Sequence, residues 1–174
     1  MQPGPFELRR LAPEQAASYR EIRLAALQSD PTAFAATFAD ECDRPLAFFT
    51  ERLRQSAVFA AIADGTIVGV AGFLVRDGIK QAHKGALVGM YVRPEARREG
   101  IGRRLVEAVV AHARQHVDLI QLSVVHDNAA ARRLYARLGF VEYGFERNAL
   151  KHDGRYYDEV LMAKPLAPGL CKEP

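Results

Sequence analysis

Residues 92–105, VRPEARREGIGRRL, crowd five arginines around Gly100 and Gly102, between an apolar run that reads as a strand and one that reads as a helix. A helix start leaves backbone N–H groups without partners and carries a partial positive charge. An anion placed there gains hydrogen bonds and favourable electrostatics. Gly100 and Gly102 let a ligand approach the backbone without Cβ obstruction. Arg97, Arg98, Arg103 and Arg104 are positioned to add charge-assisted bonds to phosphate oxygens. The stretch therefore suits a pyrophosphate or similar group. A solvated basic face at a helix start is the other reading of the same residues. Two familiar phosphate loops are excluded. A dinucleotide fingerprint needs glycine where Leu105 stands. A Walker A loop needs Lys followed by Ser or Thr where Arg103 and Arg104 stand.

The elements that must position this turn are legible on either side. FELRRL (6–11) reads as a strand. Pro13 and Glu14 open an amphipathic helix to about Gln28, and a second helix spans about Pro45 to Gln55. The segment between them is rich in turn formers but carries Phe34 and Phe38. Two β-rich runs flank Asp64–Gly65, a hairpin turn signal. KGALVGMYV (84–92) is the next strand, and the helix after the arginines runs over 101–116. LIQLSVV (119–125) is a continuous apolar strand of the kind covered on both faces. Asp127 or Asn128 caps a short helix that ends at Gly139. Two last strands, about 140–148 and 156–166, are joined by a turn at Asp153–Gly154. Strands alternating with helices in this order predict an α/β (α+β) layer structure with a mixed sheet. Residues 1–166 read as one domain and 167–174 as a loose tail.

Composition narrows the function classes. The chain has 174 residues, 49% of them apolar and 26% charged, with net charge +3. That is ordinary for a soluble globular domain. It gives no general support to nucleic-acid binding, and no aromatic platform stands beside the arginines. The two cysteines, Cys42 and Cys171, lie in no ligand pattern, so no metal site is expected. They read as free thiols of a reducing compartment. The N-terminus has no apolar signal core, and no run is long enough to span a membrane. Together these point to a cytoplasmic protein without membrane or nucleic-acid partners.

The arginine-glycine turn resembles the phosphate loop of the GNAT superfamily of N-acetyltransferases, whose pattern is Q/R-x-x-G-x-G/A. Here it reads Arg97-Arg98-Glu99-Gly100-Ile101-Gly102. A second signature of that family follows in register, Asn-x-x-Ala-x-x-Leu-Tyr-x-x-x-Gly-Phe, as NAAARRLYARLGF (128–140). The order of elements matches across about residues 6–166. The resemblance implies a mostly antiparallel sheet of about seven strands with helices on both faces, and acetyl-CoA as acyl donor. It implies that residues 97–103, including Arg103, meet the CoA pyrophosphate, and that the backbone of Met90, Tyr91 and Val92 pairs with the pantetheine arm where the fourth strand splays from its neighbour. It assigns Asn128 to the cofactor, a residue that also reads simply as an N-cap. Many members are dimers, so a homodimer is one expected state.

The chemistry implied is acyl transfer to a primary amine through a tetrahedral intermediate. Tyr135 stands where the family carries its general acid for the departing thiolate; without the resemblance it reads as a core aromatic between Leu134 and Leu138. Proton transfer from a phenol to a thiolate is uphill by about 2 kcal/mol in unperturbed surroundings. A stabilising hydrogen bond is therefore easier to support than outright donation. Some members place a glutamate on the fourth strand as base, and KGALVGMYV holds none. Either a water relay serves or a residue from elsewhere does, with Glu41, His83 and His126 as candidates, and none is singled out. By analogy with the family, Phe34, Phe38 and Glu41, with the segment 149–160, face the acceptor. Four residues apart, Phe34 and Phe38 would share one face of a helical turn, although packing into the core is the competing reading. A non-catalytic acyl-CoA-binding module is the alternative function, supported by the missing strand carboxylate.

Overall fold

The computed structural model describes residues 6–168. Seven strands form one sheet: β1 (Glu7–Arg10), β2 (Ala57–Ala63), β3 (Thr66–Val75), β4 (Lys84–Val92), β5 (Leu119–Val125), β6 (Val141–His152) and β7 (Arg155–Pro165). Their order across the sheet is β1-β2-β3-β4-β5-β7-β6. All neighbours are antiparallel except β4 and β5. Five α-helices accompany them: α1 (Ala16–Ser29), α2 (Phe38–Glu41), α3 (Leu46–Gln55), α4 (Ile101–Ala113) and α5 (Ala129–Arg137).

Alternation of side chains along the strands makes two apolar layers. On one face Ile101, Leu105, Val106 and Val109 of α4, with Tyr135 of α5, pack on Ile120, Leu122, Val124, Val160 and Met162. On the other, Tyr19, Ile22 and Ala26 of α1 and Phe49 and Leu53 of α3 pack on Val58, Ala60, Val70 and Tyr91. The two hairpin turns read from Asp-Gly pairs are present, with positive φ at Asp64, Gly65, Asp153 and Gly154, the backbone of type I′ turns.

The strands at 84–92 and 119–125 fall where the sequence puts them. Three differences concern ends. The first helix begins as a separate 3-10 turn at Pro13–Gln15. The helix α4 stops at Ala113, three residues before the expected end. The strand β6 continues to His152, passing Asn148 in a positive-φ kink that its pairing with β7 absorbs as an irregularity. A fourth difference is α2. Thr37 caps it by accepting from Asp40 N–H at 3.2 Å while Asp40 accepts from Thr37 N–H at 2.8 Å. This is a capping box with Asp in place of the usual Glu or Gln. Cys42 is a free thiol; Cys171 and most of the expected tail lie outside the described residues. No helix among the described residues is long and apolar enough to cross a membrane.

Candidate active site

The sheet is split. The strands β4 and β5 pair at three positions only, Lys84↔Leu119, Gly85↔Ile120 and Ala86↔Gln121. Beyond them β5 stays with β7 as far as Val125, and β4 stays with β3 as far as Val92. A bulge in β4 accompanies the separation. The register passes from Gly72↔Val88 to Val70↔Tyr91, so two residues, Gly89 and Met90, oppose Ala71. Gly89 takes φ +61° there, a conformation that few residues other than glycine adopt readily. Bulges bend a strand and re-aim its side chains. Met90 and Val92 pack toward α4, and Tyr91 toward α1, which is the alternation expected from the sequence. The open edges of both strands carry backbone groups that need partners. A cleft of about 1960 Å³ occupies the gap and is lined by residues of both faces of the sheet. That exceeds an ordinary small-ligand site.

The arginine-glycine turn forms one wall. Gly100 is the N-cap of α4 with φ +79°, and no side chain caps the helix. A Cβ on Gly100 would meet nothing within 4 Å. Arg98 also has positive φ, +70°. Left-handed residues leading into a helix gather N–H groups into one concavity that suits an anion. The arginine side chains divide. Arg97 donates to Asp30 Oδ2 at 2.6 Å and to the Val92 carbonyl at 2.9 Å. It therefore ties the end of α1 to the end of β4 rather than standing free. Arg103 pairs with Glu107 at 2.8 Å. Arg104 lies over the Phe6 ring and does not line the cleft. Arg98 is exposed, lines the cleft and has no ion-pair partner among the described residues. Glu99 is exposed beside it, and Ile101 is buried in the α4 core.

Gly102, the second residue of α4, faces Met90 and Leu134. Asn128 caps α5, its side chain accepting from Ala131 N–H at 3.1 Å. It is exposed and lines the cleft, so the cap leaves it accessible to a ligand. Tyr135 is 5% exposed, packs edge-on against Phe140 and lines the cleft from the α4 face. Burial pushes its phenol well above the ordinary value of 10.0. The side chain is thus a neutral donor across the physiological range.

The other face is lined by a different set. Phe34 lines the cleft under the Arg23 guanidinium, 5.2 Å from its ring centre. Its backbone is extended, and Phe38 starts α2 three residues later than Ala35. The expected shared helical face does not form, because the Thr37 cap begins a new helix between them. Phe38 and Glu41 do not line the cleft. Glu41 is 3% exposed. Its carboxylate accepts from Arg23 at 2.8 and 3.0 Å and from Arg52 at 3.1 and 3.2 Å. Burial pushes the carboxyl up, but the hydrogen bonds and charge of Arg23, joined by Arg52, outweigh it and hold the group below its ordinary value. Glu41 thus clamps α1 and α3 through α2, and a carboxylate so held is a poor proton acceptor. His83 and His126 also lie outside the cleft lining. A residue the sequence reading did not single out, Glu159 of β7, does line it, together with Ser123, Tyr157 and Leu161. The available signal was alternation: Val160 and Met162 read as core, which turns Glu159 and Leu161 to the opposite face.

This architecture is that of the acetyltransferases. A putative acetyltransferase from Salmonella typhimurium, yncA, solved with its cofactor acetyl-CoA, superposes with TM-score 0.83 at 22% identity over 98% of this chain and 99% of that one. A GNAT superfamily phosphinothricin acetyltransferase from Sinorhizobium meliloti, in complex with AcCoA, gives TM-score 0.79 at 22% identity over 97% and 92%. In sequence, an N-alpha-acetyltransferase of Saccharolobus solfataricus is 34% identical over 133 residues, 70% of this chain and 78% of the relative. The [Ribosomal protein bS18]-alanine N-acetyltransferase of Escherichia coli is 34% identical over 82 residues, 47% of this chain and 55% of its own. The sequence profile of the Acetyltransferase (GNAT) family matches residues 18–140, and the chain belongs to that family.

Proposed function

We propose that this protein transfers an acetyl group from acetyl-CoA to a primary amine by direct attack. The observation that carries the reading is the split between β4 and β5, with the uncapped start of α4 and Tyr135 on one face of it. The residues present fit the donor. The open backbone at Gly100 and the free cation of Arg98 suit a pyrophosphate. The unpaired edge of β4 at Met90, Tyr91 and Val92 suits the amide-bearing arm, as an added strand would. The donor supplies an activated thioester carbonyl.

The chain's own groups account for the rest. A backbone N–H of β4 near Met90 stabilises the developing oxyanion, the largest single contribution in reactions of this type. Tyr135 steadies the leaving sulfur with its hydroxyl. Because burial raises its pKa, full proton transfer to a thiolate is more costly than between the free groups. A hydrogen bond that shortens as charge develops is the role its environment favours. Asn128 and the 97–103 loop fix the donor so that approach, rather than encounter, limits the reaction.

The acceptor is an amine that enters from the face lined by Phe34 and Tyr157. Relatives named for N-alpha-acetylation, for the alanine of a ribosomal protein, for phosphinothricin and for an aminoglycoside define the panel to test. The purified chain is mixed with acetyl-CoA and an alanine-initiated peptide, phosphinothricin or an aminoglycoside, and thiol release is followed. Amine-dependent release is expected with at least one. Acetyl-CoA binding without release across a broad amine panel would favour a binding module instead.

A further inference from the structure

We infer that Glu159 is the proton acceptor for the attacking amine, receiving the ammonium end of the acceptor on the open face of the split sheet. This rests on the acyl-transfer reading above. The sequence lacks a carboxylate on β4, Glu41 is engaged by two arginines, and His83 and His126 do not line the cleft, whereas Glu159 does.

Placement is the first support. Val160 and Met162 are in the α4 core, and strand alternation turns Glu159 to the opposite face. There α1 and α3 cover β2, β3 and the end of β4, while only the 3-10 turn at Pro31–Ala33 comes near β5 and β6. Glu159 stands opposite Val125 on β5, at the end of that strand that has parted from β4. Tyr135 lines the same cleft from the other face. A thioester lying in the gap therefore has a phenol on one side and a carboxylate on the other.

Charge is the second. Glu159 is half-buried and pairs with no cation among the described residues. Its neighbour across β6 is another carboxylate, since Glu146 and Glu159 are directly opposed. Like charges in that arrangement destabilise a sheet, yet both remain. A cation entering the face relieves the repulsion. On β5 Ser123 and Val125 carry no charge, and Ser123 lines the cleft beside Glu159. On its own strand Tyr157 shares the face. The nearby segment 31–36, PTAFAA, is uncharged, and Asp30 before it is held by Arg97. Burial, partly offset by Ser123 and reinforced by Glu146, lifts the Glu159 carboxyl above 4.5, toward the range useful for a base.

The step balances. The ammonium gives one proton to the Glu159 carboxylate, and the neutral nitrogen attacks the thioester carbon to form the C–N bond. Collapse breaks the C–S bond, and the sulfur keeps the electron pair. The second nitrogen proton goes to that sulfur beside Tyr135. Glu159 then releases its proton to water.

The test uses the full chain, acetyl-CoA and whichever of the three panel acceptors turns over fastest. Glu159→Gln is expected to lower kcat about 100-fold near neutral pH, the scale of a lost general base, with acetyl-CoA affinity within about twofold. Its melting temperature should equal or exceed the parent's, because the contact with Glu146 is relieved. Its rate should climb toward the parent's as pH approaches the amine's own pKa, where solvent does the deprotonation. Glu159→Asp, which keeps a carboxyl, should recover part of the loss. A Gln variant within about threefold of the parent, a loss equal at every pH, or a melting temperature several degrees lower would overturn the assignment. Failure of the parent to turn over any amine sinks the acyl-transfer reading itself; a fast Gln variant sinks this inference alone.

Discussion

The terminal methyl of Met90 lies 2.8 Å from where a Cβ on Gly102 would sit, with Leu134 Cδ2 at 3.4 Å. The first turn of α4 therefore rests directly on β4 and α5, at the floor of the cleft. Gly102→Ala gains about 1 kcal/mol of helix propensity but must displace the flexible end of Met90 at a similar cost. Its melting temperature is expected to stay close to the parent's.

Gly102→Asp tests ligand binding. A carboxylate in the first turn suits the helix dipole, but its Cβ meets Met90 and Leu134, so a somewhat lower melting temperature is expected and affinity is compared below it. The same charge stands beside the proposed pyrophosphate site. Acetyl-CoA affinity measured by calorimetry should fall by a factor on the order of ten or more, about 1.4 kcal/mol per decade. Unchanged affinity would place the pyrophosphate elsewhere.

Arg97 and Arg98 should behave differently although they are neighbours. Arg98→Ala removes an exposed cation of the cleft wall and should weaken acetyl-CoA binding about tenfold at low salt, less as ionic strength rises. Arg97→Ala breaks the link between Asp30 and Val92, so loss of thermal stability should accompany any loss of affinity. Equal effects on stability would contradict the separation of roles.

Tyr135→Phe removes a hydroxyl with no protein partner among the described residues, so the fold should be indifferent. Turnover should fall about 10- to 100-fold, with the acetyl-CoA KM nearly unchanged. A variant as fast as the parent would take Tyr135 out of the mechanism.

Glu41→Gln addresses the clamp rather than the chemistry. Breaking a buried pair costs about 3 kcal/mol, less to the extent that Arg52 reaches solvent. For a chain of this size that corresponds to a melting temperature lower by about 6–12 °C. The pH dependence has a definite sign. The folded-state pKa of Glu41 lies below its unfolded value near 4.5, so the clamp contributes fully above that value and is lost as pH falls through the folded one. Acid melts of parent and variant should converge there.

Local patterns carried much of this structure. The strands at 84–92 and 119–125 are apolar runs bounded by turn formers, and the Asn128 cap and the Gly139 stop flank α5 as read. The open helix start at Gly100 was legible because glycines stand where the apolar run of α4 begins. What eluded the sequence was long-range. Nothing near Arg97 says that Asp30, far upstream, will occupy it. Nothing near Glu41 says that Arg23 and Arg52 will close on it, and so it stood among the candidate bases. Glu159 sits in a strand whose alternation tells its face, but only the reach of α1 and α3 tells that this face is uncovered. The short helix α2 was missed because its capping box uses Asp40.

Three residue pairs are all that join β4 to β5. The sheet is thus two half-sheets, one contiguous in sequence over 7–92 and the other over 119–165, stitched at one end and spread at the other. Widening the gap there breaks few backbone bonds, because β4 and β5 are already unpaired beyond Ala86 and Gln121. Donors with bulkier acyl groups should be accommodated by widening this wedge before any strand is lost.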